Sequence, residues 1–146
     1  MEETTVRNTP TKIYFDGGCR PNPGTMETGV VVRGEFHHQA DAGQGSSGQA
    51  EWLAMLDALV VARRLGLRDL LLIGDAAGVI DQAMHGGKCR SPVLAAYRDR
   101  FHELLQGFEQ VRVRHVKRTQ NLAGIALGQA RQGRRISGPR RKEPLE

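Results

Sequence analysis

The sequence predicts an α/β domain built on a mixed sheet, and three observations carry that prediction. The alternation Lys12-Ile13-Tyr14-Phe15-Asp16 has the period of a half-buried strand, whereas Leu70-Leu71-Leu72-Ile73-Gly74 is a continuous apolar run suited to a strand buried on both faces. Between them, residues 49–65 place Trp52, Leu53, Leu56, Leu59 and Val60 on one face of a helix. A passage from strand through helix to strand needs a crossover, and with it some parallel pairing.

Each element has a local cause. The first strand is expected to end at Asp16, because the Gly- and Pro-rich string from Gly17 to Gly24 cannot continue it, and the acid then points out of the sheet where the backbone opens. Gly29-Val30-Val31-Val32-Arg33 and Glu35-Phe36-His37-His38-Gln39 read as two more strands around a turn at Arg33-Gly34, so three antiparallel strands come first. Ser46-Ser47 caps the first helix, with Gln49 at capping-box spacing from Ser46, and Gly66 ends it. Glu51 then falls in the first turn, where the helix dipole favours its charge. The buried strand closes on Asp75 and leads to a short helix ending near Met84. Ser91-Pro92 opens a further helix, whose stripe of Leu94, Tyr97, Phe101, Leu104 and Leu105 runs to Gly107. Residues 111–116 alternate as a half-exposed strand, and a last helix covers residues 122–131. The predicted order is βββαβααβα.

At 146 residues with 39% hydrophobic content, the chain is long enough for one domain with a true core. We expect that domain at residues 11–132, an N-terminal extension at 1–10 and a disordered basic tail at 133–146. No apolar run approaches the roughly 20 residues of a membrane span, and the polar start lacks a signal-peptide pattern, so a cytoplasmic monomer with no membrane partner is expected. Cys19 and Cys89 are too few for a disulfide framework and read as free thiols. Residues 112–146 carry ten Lys or Arg against two acids, so the net charge of +5 belongs to the C-terminal third. That asymmetry suits a polyanionic partner such as nucleic acid.

Asp16, Glu51 and Asp75 stand 35 and 24 residues apart, at two strand ends and one helix start, and such elements can converge. The string from Phe15 to Gly24, the helix start Gln49-Ala50-Glu51, the strand end Gly74-Asp75 and the segment from Val113 to Arg118 with Gln120-Asn121 resemble type 1 ribonuclease H. The resemblance is ordered, covers about residues 11–131, and is closest to the compact prokaryotic form, since no basic Trp-rich insertion lies between residues 84 and 92. It implies an RNase H-like fold with a five-stranded mixed sheet flanked by helices. It further implies cleavage of the RNA strand of RNA/DNA hybrids with two Mg²⁺ or Mn²⁺ ions, one being conceivable here. Asp16, Glu51 and Asp75 would be the metal-binding catalytic acids. Gly17, Gly18, Cys19, Arg20, Asn22, Ser47, Gly48, Gln49, Lys117 and Arg118 would face the substrate.

The departures bear on activity. Where the family opens its final helix with a fourth acid, this chain has Ile125, or Gly124 after a slip of one residue. Ser47-Gly48 replaces two Asn, and Ala76-Ala77 replaces a Ser-Gln pair. Asp81 lies about 240° round its helix from Asp75 and offers no replacement, and His115 reads as a hydrogen-bonded core residue. The expectation is a weakened or Mn²⁺-preferring ribonuclease, with a catalytically degenerate nucleic-acid-binding module as the alternative.

Overall fold

The computed structural model of the protein describes residues 9–133, so the expected extension at 1–10 and tail at 133–146 lie outside it except for Thr9, Pro10 and Gly133. In chain order the elements are β1 (Thr11–Cys19), β2 (Gly24–Val32), β3 (Glu35–Gln39), β4 (Gln44–Gly45), α1 (Ser47–Arg64), β5 (Asp69–Gly74), α2 (Ala77–Met84), α3 (Pro92–Leu105), β6 (Gln110–His115) and α4 (Leu122–Arg131). A short 3₁₀ turn, Arg118–Gln120, precedes α4. The sheet runs β3-β2-β1-β5-β6, with β4 pairing on β2. β1, β2 and β3 are antiparallel, whereas β5 is parallel to both β1 and β6. The predicted order therefore holds, and β4 and the 3₁₀ turn are additions too short to leave a periodic signal.

The pleat sorts side chains onto two faces. Val30 and Val32 join Ile13, Phe15, Trp52, Met55, Leu59 and Phe101 in the main core beneath α1, α2 and α3. Val31 points the other way, toward Phe36, Ala126 and Leu127 beneath α4. Each large side chain buried this fully contributes about 1.5–3 kcal/mol. Ser46 and Gln49 form the expected capping box at the head of α1, and Ser91 accepts from Val93 and Leu94 at the head of α3.

Three local expectations are corrected. β1 does not stop at Asp16: Gly17, Gly18 and Cys19 pair with Thr28, Glu27 and Met26, and that ladder offsets the poor strand propensity of the glycines. Glu51 is not in the first turn of α1, because the capping box starts the helix at Ser47 and puts Glu51 one turn further in. His115 is exposed rather than in the core, because it ends the edge strand β6.

Gly17 is the contact point of β1 and α1. A Cβ there would collide with the backbone carbonyl of Ala50 and lie 2.9 Å from Glu51 N. Backbone cannot give way as a flexible side chain does, so Gly17→Ala is expected to lower stability by about 3 kcal/mol, at the upper end of the range for overpacking. Chemical denaturation of the variant checks this, and a loss below about 1 kcal/mol would contradict the close approach.

Candidate active site

The sheet opens where two parallel strands end out of step. Pairing of β1 with β5 begins at Thr11 with Leu70 and finishes at Tyr14 with Ile73, so β1 outruns its neighbour and Asp16 lies past the last paired residue. Asp75 follows the end of β5 directly. The carboxyl ends of adjacent parallel strands are where open α/β sheets bind ligands. Glu51 arrives from α1, one residue beyond the Ala50 backbone that rests on Gly17.

The three acids feel one another. Burial, reinforced by the charges of Asp75 and Glu51, pushes Asp16 up to about 7 despite the opposing Arg118 and Arg131. Glu51 is also raised, first by burial and then by Asp75, with Arg118 acting against the shift. Arg118 Nε stands 3.7 Å from Asp75 Oδ2; the arginine side chain is 83% exposed and that of the aspartate 9%, so the pair contributes little beyond screening. Among the described residues no group of three or more His, Cys, Asp or Glu side chains is gathered closely enough to form a complete cation cage. The acids share a field without converging on a single point.

Asp16 and Glu51 line a polar cleft of about 270 Å³ together with Gly17, Gly18, Cys19 and Ser47. Arg20, Arg118 and Arg131 complete its wall. Other residues singled out in the sequence have structural duties. The Cys19 thiol donates to the carbonyls of Pro21 and Gly45 at 3.1 and 3.2 Å. Gln49 Oε1 accepts from Ser46 N, and Asn22 Oδ1 accepts from Ser47 N, tying the Pro-rich turn to the head of α1. Gly48 and Lys117 do not line the cleft.

α4 sets which of its residues face the cleft. Asn121, fully buried at its N-cap, donates from Nδ2 to the Phe15 carbonyl at 2.9 Å and accepts from Ala123 N through Oδ1. That anchoring turns Gly124 toward the cleft, where a Cβ would meet Asp16 Oδ2 at 3.3 Å. Ile125 is 43% exposed and lines a separate groove of about 250 Å³ with Val31, Phe36 and Leu122. Of the two positions read as standing in the fourth acid's place, Gly124 is the one that faces Asp16 and Ile125 the one that faces the groove, because one residue turns a helix by about 100°.

Sequence reasoning missed Arg131 altogether. It lies seven residues after Gly124 and so on nearly the same face of α4; the helical period was the signal that would have found it. Its Nε pairs with Glu27 Oε1 at 2.8 Å, and a Cβ on Gly18 would meet its Nη2 at 2.5 Å.

The architecture and site define the class: an RNase H-like α/β domain with carboxylates at the carboxyl ends of neighbouring parallel strands. A family model described as "Reverse transcriptase-like" matches residues 14–130. A ribonuclease HI of Halobacterium salinarum is 36% identical over 119 residues, which are 78% of this chain but only 60% of that relative's length. The crystal structure of RNase H1 from Halobacterium salinarum NRC-1 superposes with a TM-score of 0.78 at 32% identity, covering 86% of this chain and 99% of that one. LC11-RNase H1, in a crystal structure with an RNA/DNA hybrid, gives 0.69 at 25% identity over 77% of this chain and 88% of its own. The chain belongs to the type 1 ribonuclease H family.

The raised Asp16 has a consequence for stability without metal. From its ordinary value of 3.8 up to about 7, the folded chain holds a proton that the unfolded chain has released, so stability falls as pH rises through that window. Asp57, pushed up to about 6 by burial against the opposing Thr28 hydrogen bond and Arg64, acts in the same sense. Asp16→Asn is therefore expected to match the natural protein near pH 4 and exceed it by about 2 kcal/mol at pH 8 in chelator, after allowance for solvent. Thermal unfolding across that range checks both arms; equal stability at pH 8 would refute the burial of an uncompensated charge.

Proposed function

We propose that this protein is a divalent-metal-dependent endoribonuclease that cuts the RNA strand of RNA/DNA hybrids, with a weakened flank where the fourth acid is missing. The observation that carries the reading is the electrostatic coupling of Asp16, Glu51 and Asp75 at the open end of β1 and β5. Family membership supports it, as do the two free cysteines, which suit the reducing cytosol in which we expect it to act as a monomer. No described helix is long and apolar enough to cross a membrane.

The donor set fits Mg²⁺ or Mn²⁺. Burial, reinforced by the charges of Asp75 and Glu51, pushes Asp16 up to about 7, and a dication beside these carboxylates would relieve the cost of their charge. Mg²⁺ in particular prefers oxygen, keeps several waters, and needs only one or two protein carboxylates beside substrate phosphates, so an incomplete cage is enough. Asp16, Glu51 and Asp75 would hold it. Bound there, divalent ions would activate the attacking water and stabilise the leaving oxygen.

The chain's own residues supply positioning. Gly17 and Gly18 line the cleft beside Asp16, Gly17 admitting the α1 backbone and Gly18 the Arg131 guanidinium. Glu51, which lines the cleft, would meet a ribose 2′-hydroxyl, the group that distinguishes RNA from DNA. Arg20 and Arg118 offset the repulsion between the acids and an incoming phosphodiester.

Gly124 also favours a second reading, a binding module that has lost cleavage, and one experiment separates the two. Hybrid cleavage is measured with Mg²⁺ and with Mn²⁺ for the natural protein, Asp16→Asn, Gly124→Asp and Ile125→Asp. We expect slow cleavage by the natural protein, a loss of roughly a hundredfold or more in Asp16→Asn, faster cleavage at lower metal in Gly124→Asp, and no gain in Ile125→Asp. Cleavage by Gly124→Asp alone would establish the binding module instead.

A further inference from the structure

Arg131 is held at the cleft by partners on the sheet. It lies in the last turn of α4, with a side chain only 25% exposed although it ends a surface helix. Glu27 on β2 fixes it through the 2.8 Å contact to Nε, and Glu27 is itself 16% exposed and held from the other side by His38 Nε2 at 2.7 Å. His38 in turn stacks on Phe36, with ring centroids 5.1 Å apart and planes 16° from parallel. Burial alone would raise Glu27, but the hydrogen bonds from His38 and Arg131 outweigh it and hold the carboxyl below its usual range. A guanidinium at a helix terminus is thereby locked in one orientation by a chain of three partners rooted in the sheet.

That orientation presents the free end of the fork to the cleft. With Nε committed to Glu27, Nη2 lies against the Gly18 backbone, and among the described residues nothing else takes the Nη atoms. Arg131 lines the same cleft as Asp16 and Glu51, and its charge reaches Asp16. Gly124 and Arg131 thus share one helical face, so the flank of Asp16 on the α4 side carries a fixed cation and no acid. A planar fork with two free N–H groups beside a nucleic-acid cleft matches a phosphate, which guanidinium groups bind in bidentate fashion.

We propose that Arg131 is a phosphate-binding residue that grips a backbone phosphodiester of the nucleic acid on the α4 flank of the cleft, with Glu27 as its positioning residue. The inference rests on the hybrid-binding reading above, since it names a contact within that site.

The test is binding rather than cleavage. Fluorescence anisotropy of a labelled RNA/DNA hybrid is followed in chelator over a salt series, with full-length protein. Arg131→Gln is expected to weaken binding about fivefold to tenfold at low salt and to flatten the salt slope by about one phosphate contact. Arg131→Lys should keep the slope while losing part of the affinity, because the charge remains and the fork does not. Glu27→Gln gives the sharpest contrast. Loss of an acid beside a polyanion site tightens binding by simple electrostatics, whereas release of Arg131 weakens it about threefold or more; circular dichroism confirms that the variant is folded. Tighter binding by Glu27→Gln overturns its positioning role. Unchanged affinity and slope in Arg131→Gln, with the natural protein binding normally, overturns the phosphate contact and leaves the nuclease reading intact. Failure of the natural protein to bind hybrid at low salt overturns both.

Discussion

One buried amide organises the cleft. Asn121 spends its donor on the Phe15 carbonyl and its acceptor on Ala123 N, so it caps α4 and ties that helix to β1 one residue before Asp16. No solvent reaches it, and a partner left unsatisfied there would cost about 1–3 kcal/mol, enough to hold the helix in a single register. From that register the rest follows: Gly124 meets Asp16, Ile125 turns away to the groove beside Phe36, and Arg131, two turns on, comes to rest over Gly18. A helix docked by apolar packing alone, on Leu127 and Ala126, could rotate by a fraction of a turn at little cost. The directional bond removes that freedom.

The opposite wall has a steric constraint of the same kind. Gly17 lets the α1 backbone sit directly on β1, which brings Glu51 within electrostatic reach of Asp75, while the early end of β5 keeps the space beyond Tyr14 open. Two unrelated devices, a hydrogen-bonded cap and a missing side chain, hold α4 and α1 on either side of one strand. Both act on backbone, and so tolerate wide variation in the surrounding side chains.

Much of this was legible in the sequence, and the limits have physical causes. Helix starts were read well because their signals are chemical and local: Ser46 with Gln49 and Ser91 with Pro92 lie where capping demands. The end of β1 was misplaced because glycines weaken a strand only on average, and the β2 ladder that holds Gly17 to Cys19 is a tertiary fact. The three acids were singled out through their motifs, yet their failure to form a closed cage depends on distances that no spacing encodes. Which of Gly124 and Ile125 faces Asp16 turned on about 100° of helix phase, which the Asn121 cap fixes. Arg131 stayed hidden among ten C-terminal cations, because its partner Glu27 lies 104 residues away.

The charge pattern of the cleft follows from what it must admit. Ionised carboxylates beside the cleft would repel a phosphodiester, and burial, which pushes Asp16 up to about 7, makes their charge costly as well. Metal ions can offset it on one side, where Asp75 and Glu51 stand. On the α4 side this chain has no acid with which to hold a cation, and the wall there carries a guanidinium fixed by Glu27 and His38. Lacking an acid makes that flank less negative, while the charge of the fixed arginine is largely balanced by Glu27 and what it adds is a directed N–H fork. On the proposed reading, such a site would draw more of its attraction for the backbone from protein groups and less from bound ions. On the proposed reading, binding and cleavage would come apart in this chain, because the groups assigned to each lie on opposite flanks of Asp16.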